Sequence, residues 1–256
     1  MIKEPYYTVE LTAIACYVEI LINDVPVISI EANGQISPNI PINYAITNSG
    51  IQKISAKMTP LTKETKLRSN AELSYCVRLF DVANDQFVFI KNFAEQKIAT
   101  DEKSKSFPFI IKLSEFEAEI PYTLTKWDNA TNLKDLKQKL EASYNYIGKI
   151  IDKGNYNEFA EIIKSRENNM AISMYLSEIN SKARINSLID DAKNGFKIMP
   201  LAKDVVLKLY GYGKLASLKK INREPALFLF NEETNEELML DLMFYIPEGK
   251  TEFEVI

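Results

Sequence analysis

Residues 17–30 read YVEILI-ND-VPVISI, and this stretch decides the fold of the first half of the chain. Apolar runs flank Asn23-Asp24, a dipeptide typical of tight turns. The pattern predicts a β-hairpin with strands over residues 17–22 and 25–30. Because Pro26 has no N–H to donate, we expect the returning strand to begin at an edge or at an unpaired position.

Short apolar runs of the same kind extend outward from this hairpin, from residue 6 to about residue 122. Between turn residues they predict strands at 51–58, 71–80, 87–90, 107–113 and 114–122. Many short strands with a period of two are typical of a β-sandwich or barrel. We therefore predict an N-terminal all-β sandwich domain over residues 1–126.

Three glutamates in this half, Glu115, Glu117 and Glu119, alternate with apolar residues along one predicted strand. Alternation places the three carboxylates on one face and the apolar side chains on the other. A hard cation needs six or more oxygen ligands, and no acidic loop accompanies the three glutamates. The pattern therefore favours a solvated strand face over a metal site.

The period changes at Trp127, where a second domain over residues 127–256 is predicted to begin. A first helix, capped by Thr131 or Asn132 and stopped by Gly154, carries one apolar stripe. A second helix is predicted near residue 157 and a third over residues 169–193. The residues expected to face the core are Leu133, Leu136, Leu140, Tyr144, Ile147 and Ile151 on the first helix, Phe159, Ile162 and Ile163 on the second, and Ile172, Tyr175, Leu176, Ile179, Ala183, Leu188 and Ile189 on the third.

After Pro200 the period returns to two and predicts strands at 205–210, 214–218, 226–230, 238–246 and 251–256. About three helices followed by four or five antiparallel strands define an α+β domain. In this order of elements, residues 131–256 resemble the ketosteroid-isomerase-like α+β cone superfamily. That resemblance implies a fold shared by enzymes and binding modules; because no residue here matches the family's catalytic motif, it implies no catalytic role.

The chain contains no histidine, which excludes nucleophile-histidine triads and histidine metal ligands. Its two cysteines, Cys16 and Cys76, lie in predicted strands, where free buried thiols and a disulfide are both compatible with the sequence. No paired carboxylates or other catalytic spacing stands out, so we expect no catalytic residue, no metal and no cofactor.

Charge and hydropathy limit the kinds of partner and the cellular location that we expect for the protein. The net charge of −4 comes from 31 basic and 35 acidic residues that are mixed along the chain, which argues against nucleic-acid binding. No apolar stretch approaches the roughly 20 residues of a membrane-spanning helix. Residues 1–6 show no signal peptide, so we expect a cytoplasmic protein, or a periplasmic one if a leader has been removed.

Two groups of like charge lie on neighbouring hairpins of the predicted second domain. The candidate partner-binding residues are Lys214, Lys219, Lys220 and Arg223 on one hairpin and Glu232, Glu233, Glu236 and Glu237 on the next. They form either a charged contact surface for a protein partner or opposite charges that pair across the sheet. The segment 211–214 (GYGK) lacks the spacing of a phosphate loop and is interpreted as a hairpin turn.

These observations predict a non-enzymatic bacterial protein that binds another protein, such as a toxin-immunity protein or a secretion-system accessory protein. One alternative is carbohydrate binding by the N-terminal sandwich, where exposed tyrosines would stack on sugars. The tyrosines concerned are Tyr6, Tyr7, Tyr17, Tyr44 and Tyr75. Another alternative is a small-molecule binder or enzyme with a pocket in the α+β domain.

Overall fold

The computed structural model describes residues 2–101, 108–134 and 136–256. Its internal contacts divide the chain into two units, Met1–Leu124 and Thr125–Ile256, and each is described by itself. Strand is the main secondary structure, and all four helices of the described residues lie in the second unit. None of these helices is long and apolar enough to cross a membrane.

The first unit is an antiparallel sheet that curls around the long strand β1. Its strands are β1 (Pro5–Ile22), β2 (Val25–Ile36), β3 (Asn39–Pro41), β4 (Gly50–Thr59), β5 (Glu72–Asp81), β6 (Val88–Asn92), β7 (Gln96–Ala99) and β8 (Ile110–Ala118). The main path through the sheet runs β6-β5-β1-β4-β8, while β2 and β3 pair with β1 and β7 pairs with β5. Strands β6 and β8 therefore lie at the two ends of this path.

Strand β1 bends at Ala15, and the bend decides how the sheet curls. Ala15 has a φ of 51°, and the register of β1 against β2 shifts between Ile14 and Cys16. One extra residue at a bulge reverses which side chains face inward. Accordingly, the apolar residues of β1 that are at most 2% exposed are odd-numbered before the bend and even-numbered after it: Tyr7, Val9, Leu11 and Ala13, then Cys16, Val18, Ile20 and Ile22.

The predicted hairpin over residues 17–30 is confirmed. Ile22 pairs with Val25, and Asn23 and Asp24 both have positive φ, as a two-residue type I′ turn requires. The side chain of Asn23 also donates a hydrogen bond of 2.7 Å to Gln52 Oε1, which fixes the turn against β4. Pro26 lies next to a second shift in register, on a strand that pairs only with β1 in the described part of the chain.

One strand prediction for the first unit was wrong. Residues 110–118 form the single continuous strand β8, whereas two strands meeting at residue 114 were expected. Phe107, the first residue of the predicted pair, lies outside the described residues. The alternation within β8 is as predicted, because Phe116 and Ala118 are buried and Glu115 and Glu117 are exposed.

The two cysteines are free thiols. Cys76 on β5 pairs in register with Glu10 of β1, and Cys16 lies six residues further along that strand. Six residues of strand span about 20 Å, far beyond the reach of a disulfide. Burial raises the pKa of Cys16 to about 11, so this thiol is protonated at neutral pH.

The second unit begins with four helices: α1 (Lys137–Asp152), α2 (Tyr156–Ile162), α3 (Lys164–Ser173) and α4 (Glu178–Lys193). The stop of α1 at Gly154 is confirmed, since this glycine has a φ of 70°. Its predicted start is wrong, because the N-cap position is occupied by Leu136 and not by Thr131 or Asn132. The backbone of the preceding segment is hydrogen-bonded elsewhere: Thr131 N–H donates to Ile246 O (3.0 Å) and Leu133 N–H to Gly213 O (2.8 Å).

The prediction of a single long third helix was also wrong, because this part of the chain forms the two helices α3 and α4. The chain leaves α3 through Tyr175, whose φ is 53°, and Ser177 then caps α4 by accepting a hydrogen bond from Asn180 N–H. Three residues expected to face the core are exposed: Ile172 by 45%, Ile179 by 80%, and Ala183. Helix α4 has no fully buried residue among those described, in contrast to the buried stripe of α1.

Seven strands follow the helices: β9 (Phe196–Ile198), β10 (Val206–Tyr210), β11 (Leu215–Lys219), β12 (Leu227–Asn231), β13 (Glu236–Leu240), β14 (Phe244–Tyr245) and β15 (Glu254–Val255). They form two sheets, with the orders β10-β11-β14-β15 and β13-β12-β9. The strand predicted over residues 238–246 is therefore divided between the two sheets, and β9 was not predicted. The hairpin turn at residues 211–214 is confirmed, since it joins β10 to β11.

Gly211 is required in that turn for two reasons. Its φ is 56°, and a Cβ atom placed there would lie 2.7 Å from Nε1 of Trp127 and 2.8 Å from Cγ of Leu215. Trp127 is itself buried, so the indole cannot move aside freely. The close approach anchors the start of the second unit on the β10-β11 hairpin.

Candidate protein-binding edge of the first unit

The predicted charged surface of the second unit is mostly engaged within the unit. Lys219, at the end of β11, is only 7% exposed, and its ammonium lies 2.6 and 2.7 Å from the two carboxylate oxygens of Asp241. A buried ammonium needs such a partner because an unpaired charge in the interior is costly. The structure thus places Lys219 inside the unit, with its charge neutralised.

Lys220 is held in a similar way. Its ammonium lies 3.2 Å from Glu224, 3.5 Å from Glu237 and 3.7 Å from the centroid of the Phe228 ring. The predicted basic and acidic groups therefore meet at this point across the β11-β12-β13 region. Ion pairing and a cation–π contact together fix the lysine on the strand face.

The other predicted residues are spread around these hairpins. Lys214 lies at the opposite end of β11 and donates to the backbone oxygen of Asp128. Arg223 occupies the turn before β12 with a φ of 75°, while Glu232 and Glu233 occupy the turn after it. Glu236 begins β13, and Glu232 lies 3.9 Å from Lys197. The structure thus brings Lys220 and Glu237 together and leaves Lys214 apart.

None of the five tyrosines considered for sugar stacking is fully exposed. Tyr7, Tyr17 and Tyr75 are buried, and Tyr6 and Tyr44 are half-buried. Among the described residues of the first unit, the exposed aromatic side chains are Phe87, Phe89 and Phe109. Two of these three phenylalanines lie at one edge of the sheet.

That edge is strand β6, which carries an apolar surface of a kind that strand edges normally avoid. Every residue of β6 is exposed, and in the described part of the chain β6 pairs only with β5. Phe87, Val88, Phe89 and Ile90 form a continuous apolar run, with exposures of 69, 48, 52 and 39%. An uncharged apolar edge presents free backbone N–H and C=O groups beside apolar side chains, which favours pairing with another strand.

The aromatic side chains at this edge pack on one another. Phe87 contacts Tyr6 and Phe80 with centroid distances of 5.4 and 6.1 Å, and Phe89 lies 5.8 Å from Phe80, all in edge-to-face geometry. We call Tyr6, Phe80, Phe87 and Phe89 the β6 aromatic patch. Because the rings support one another, the patch is a preformed surface.

Next to the patch, two polar atoms are buried without a partner. Thr8 and Arg78 face each other in the β1-β5 register, and neither Thr8 Oγ1 nor Arg78 Nε has a hydrogen bond among the described residues. The Nη2 atom of Arg78 lies 2.7 Å from Glu10. Buried polar atoms without partners are uncommon in folded proteins. Arginine beside aromatic rings is also a combination enriched at protein interfaces.

The opposite end of the sheet, β8, is protected by charge. Ile111 and Leu113 are exposed, but Lys112, Glu115 and Glu117 lie along the same strand. Across the β4-β8 pair, Lys57 places its ammonium 5.0 Å from the centroid of the Phe109 ring. Charged residues on an edge strand oppose pairing with another chain. Strand β6 has no charge until Lys91, so the two strands that end the main path of the sheet differ in chemistry.

The second unit contains a buried tyrosine, Tyr144, whose contacts are those of a residue that stabilises the fold. The hydroxyl of Tyr144 accepts a hydrogen bond from Leu218 N–H (3.0 Å) and lies 3.1 Å from Leu242 O and 3.3 Å from Ser217 Oγ. Burial raises its pKa to about 12, so it does not exchange protons readily at neutral pH. This hydroxyl joins α1 to the strands.

The buried charge of the second unit is likewise satisfied internally. Glu167 on α3 is 3% exposed and is paired with both Arg166 and Arg184, the latter at 3.2 Å. Among the described residues, no group of three or more cysteine, aspartate or glutamate side chains is arranged to hold a metal ion.

Comparison with known protein families, with curated proteins and with solved structures gives no match for this chain. The candidate site therefore depends on the geometry alone. Sequence reasoning recognised residues 87–90 as a strand but missed their role at an edge. The run FVFI is compatible with a strand buried on both faces, and only the pairing order of the sheet distinguishes the two cases.

Proposed function

We propose that this protein is a non-enzymatic binding protein that recognises an extended segment of a protein partner at the free edge of β6. The observation that carries the proposal is the exposed, uncharged run Phe87–Ile90 on a strand that, among the residues the structure describes, pairs on one side only. A partner segment would add a strand to the sheet, gaining backbone hydrogen bonds from the edge and apolar contact from the aromatic patch. The bacterial toxin-immunity and secretion-accessory roles are specific forms of this proposal.

The proposal also includes the finer architecture of each unit. A sandwich in the first unit is supported by the bend at Ala15, beyond which β4 replaces β5 as the neighbour of β1. The hydroxyls of Tyr75 on β5 and Ser114 on β8 lie 2.9 Å apart, although these strands are not neighbours in the sheet. An α+β second unit like the ketosteroid-isomerase-like cone is supported by helices that precede antiparallel strands, while the division into two sheets is a departure from a single curved sheet.

The test uses a library of random nine-residue peptides, selected for binding to the full-length protein, and the charged variant Phe89→Asp. We expect the selected peptides to lose about tenfold or more in affinity for Phe89→Asp, because a charge at the centre of the edge opposes desolvation. The matched control is Leu113→Asp, since Leu113 is also an exposed apolar residue, on the opposite edge. Affinities are measured by fluorescence anisotropy, with folding checked by circular dichroism.

Three results would contradict the proposal. The first is the absence of any selected peptide, and the second is equal loss of binding in Phe89→Asp and Leu113→Asp. The third is a dimer of the wild-type protein that Phe89→Asp abolishes in analytical ultracentrifugation, since this would assign the β6 edge to self-association.

A further inference from the structure

A cavity of about 540 Å³ opens in the first unit beside the β6 edge. Its apolar lining includes Tyr7, Leu79, Ile90 and Ile120, which come from β1, β5, β6 and the segment after β8. Both Tyr7 and Leu79 are core residues, whereas their neighbours Tyr6 and Phe80 belong to the aromatic patch. Neighbouring residues of a strand face opposite sides of the sheet, so the cavity and the patch lie on opposite faces of the same edge.

The lining of the cavity carries charges of both signs. Lys3 and Lys91 come from the N-terminal segment and from β6, whereas Glu117 and Glu119 come from β8 and the residue after it. In the part of the chain that the structure describes, no ion pair neutralises any of these four side chains. This differs from the second unit, where Lys219 and Lys220 have carboxylate partners.

Contacts other than ion pairs hold Lys91 and the backbone at Lys3, and the charge of Lys3 also contributes to lowering the pKa of the Asp81 carboxyl. The ammonium of Lys91 lies 4.5 Å from the centroid of the Phe93 ring. The N–H groups of Lys3 and Glu4 donate to the two carboxylate oxygens of Asp81, each at 3.1 Å, which fixes the segment that carries Lys3. On the other side, the hydroxyl of Tyr7 accepts a hydrogen bond of 2.9 Å from Glu119 N–H.

We infer that this cavity recognises the second face of the partner's strand: it takes an apolar side chain flanked by an acidic residue for Lys3 and Lys91 and a basic residue for Glu117 and Glu119. The inference rests on the proposed binding at β6. A strand added to β6 presents every second side chain to the aromatic patch and the others to the face on which the cavity opens. Complementary charges in the cavity lining would set the register and direction of the added segment.

The experiment uses the same nine-residue peptide library with two charge reversals, Lys91→Glu and Glu119→Lys. We expect the peptides selected on the wild-type protein to contain an acidic and a basic residue separated by an even number of positions. Each reversal should weaken binding by about tenfold, and replacing the peptide's acidic residue with lysine should restore binding to Lys91→Glu. The matched control is Glu115→Lys, on the same strand but outside the cavity lining.

The outcomes separate this inference from the proposed function. If Phe89→Asp abolishes peptide binding while both charge reversals leave the affinity within about twofold, binding at the β6 edge is supported and the role assigned to the cavity is overturned. Selected peptides that lack the charge pair would overturn it as well. If Phe89→Asp has no effect, the proposed function itself is contradicted, and the inference falls with it.

Discussion

The charged hairpins of the second unit and the β6 edge of the first unit differ in how their side chains are satisfied. Lys219 and Lys220 find carboxylates on neighbouring elements of their own unit. The run Phe87–Ile90 is exposed and has no strand on its outer side among the described residues. Charged groups on adjacent strands can neutralise each other within a chain, whereas the backbone groups of an apolar sheet edge favour pairing with a further strand.

The first prediction concerns Glu167 on α3, another charged residue that is paired within the second unit. The largest effect on stability is expected there. Glu167→Gln removes the carboxylate that both Arg166 and Arg184 contact, so the free energy of unfolding should fall by about 2 kcal/mol. The measurement is urea unfolding followed by circular dichroism. The control, Glu161→Gln, breaks an exposed pair with Lys164 and should change stability by less than about 0.5 kcal/mol. Equal effects of the two substitutions would mean that the buried charge does not hold the helices together.

A smaller effect is expected at Lys219. Lys219→Met keeps the length of the side chain but leaves Asp241, whose side chain is 51% exposed, without its partner. Because water partly compensates that carboxylate, the free energy of unfolding should fall by about 1 kcal/mol. A double-mutant cycle with Asp241→Asn isolates the pair. If the cycle gives no coupling, Lys219 is free to serve the partner-binding role that the sequence predicted for it.

The smallest effect is expected at Asp81, whose carboxylate accepts hydrogen bonds from the N–H groups of Lys3 and Glu4. Backbone N–H groups of Lys3 and Glu4 lower the pKa of Asp81 below its usual value of 3.8. A carboxyl group whose pKa is lowered by folding stabilises the protein above its unfolded pKa, and this contribution is lost as the pH falls through the folded value. The stability difference between wild type and Asp81→Asn should thus be constant near neutrality and shrink below pH 3.8. A stability difference that grows as the pH falls would contradict this stabilising role of the Asp81 carboxylate.

Much of the local structure followed from the sequence, because it depends on short-range patterns. The Asn23-Asp24 hairpin, the alternation of β8 and the stripe of α1 are fixed by turn chemistry and periodicity. The break between α3 and α4 was also encoded, at the capping residue Ser177, but the continuous apolar pattern concealed it.

The candidate site could not be predicted, because it depends on which strands pair. Pro5 of β1 pairs with Asp81 of β5, far apart in the sequence, and β6 becomes an edge only through that order. Likewise, the sequence left open whether the charges at residues 214–237 pair with each other or face a partner. Lys219 and Asp241 form one such internal ion pair. The two residues are far apart in the sequence, so no short-range sequence pattern predicts their contact.

Amide hydrogen exchange at β6 tests the central claim most directly. The full-length protein is compared with and without a saturating amount of a selected peptide, and exchange is followed at residues 88–92. Because an added strand would engage the free backbone groups of the edge, we predict slower exchange in β6 and no change in β8. Unchanged exchange in β6, with protection elsewhere in the chain, would contradict the account.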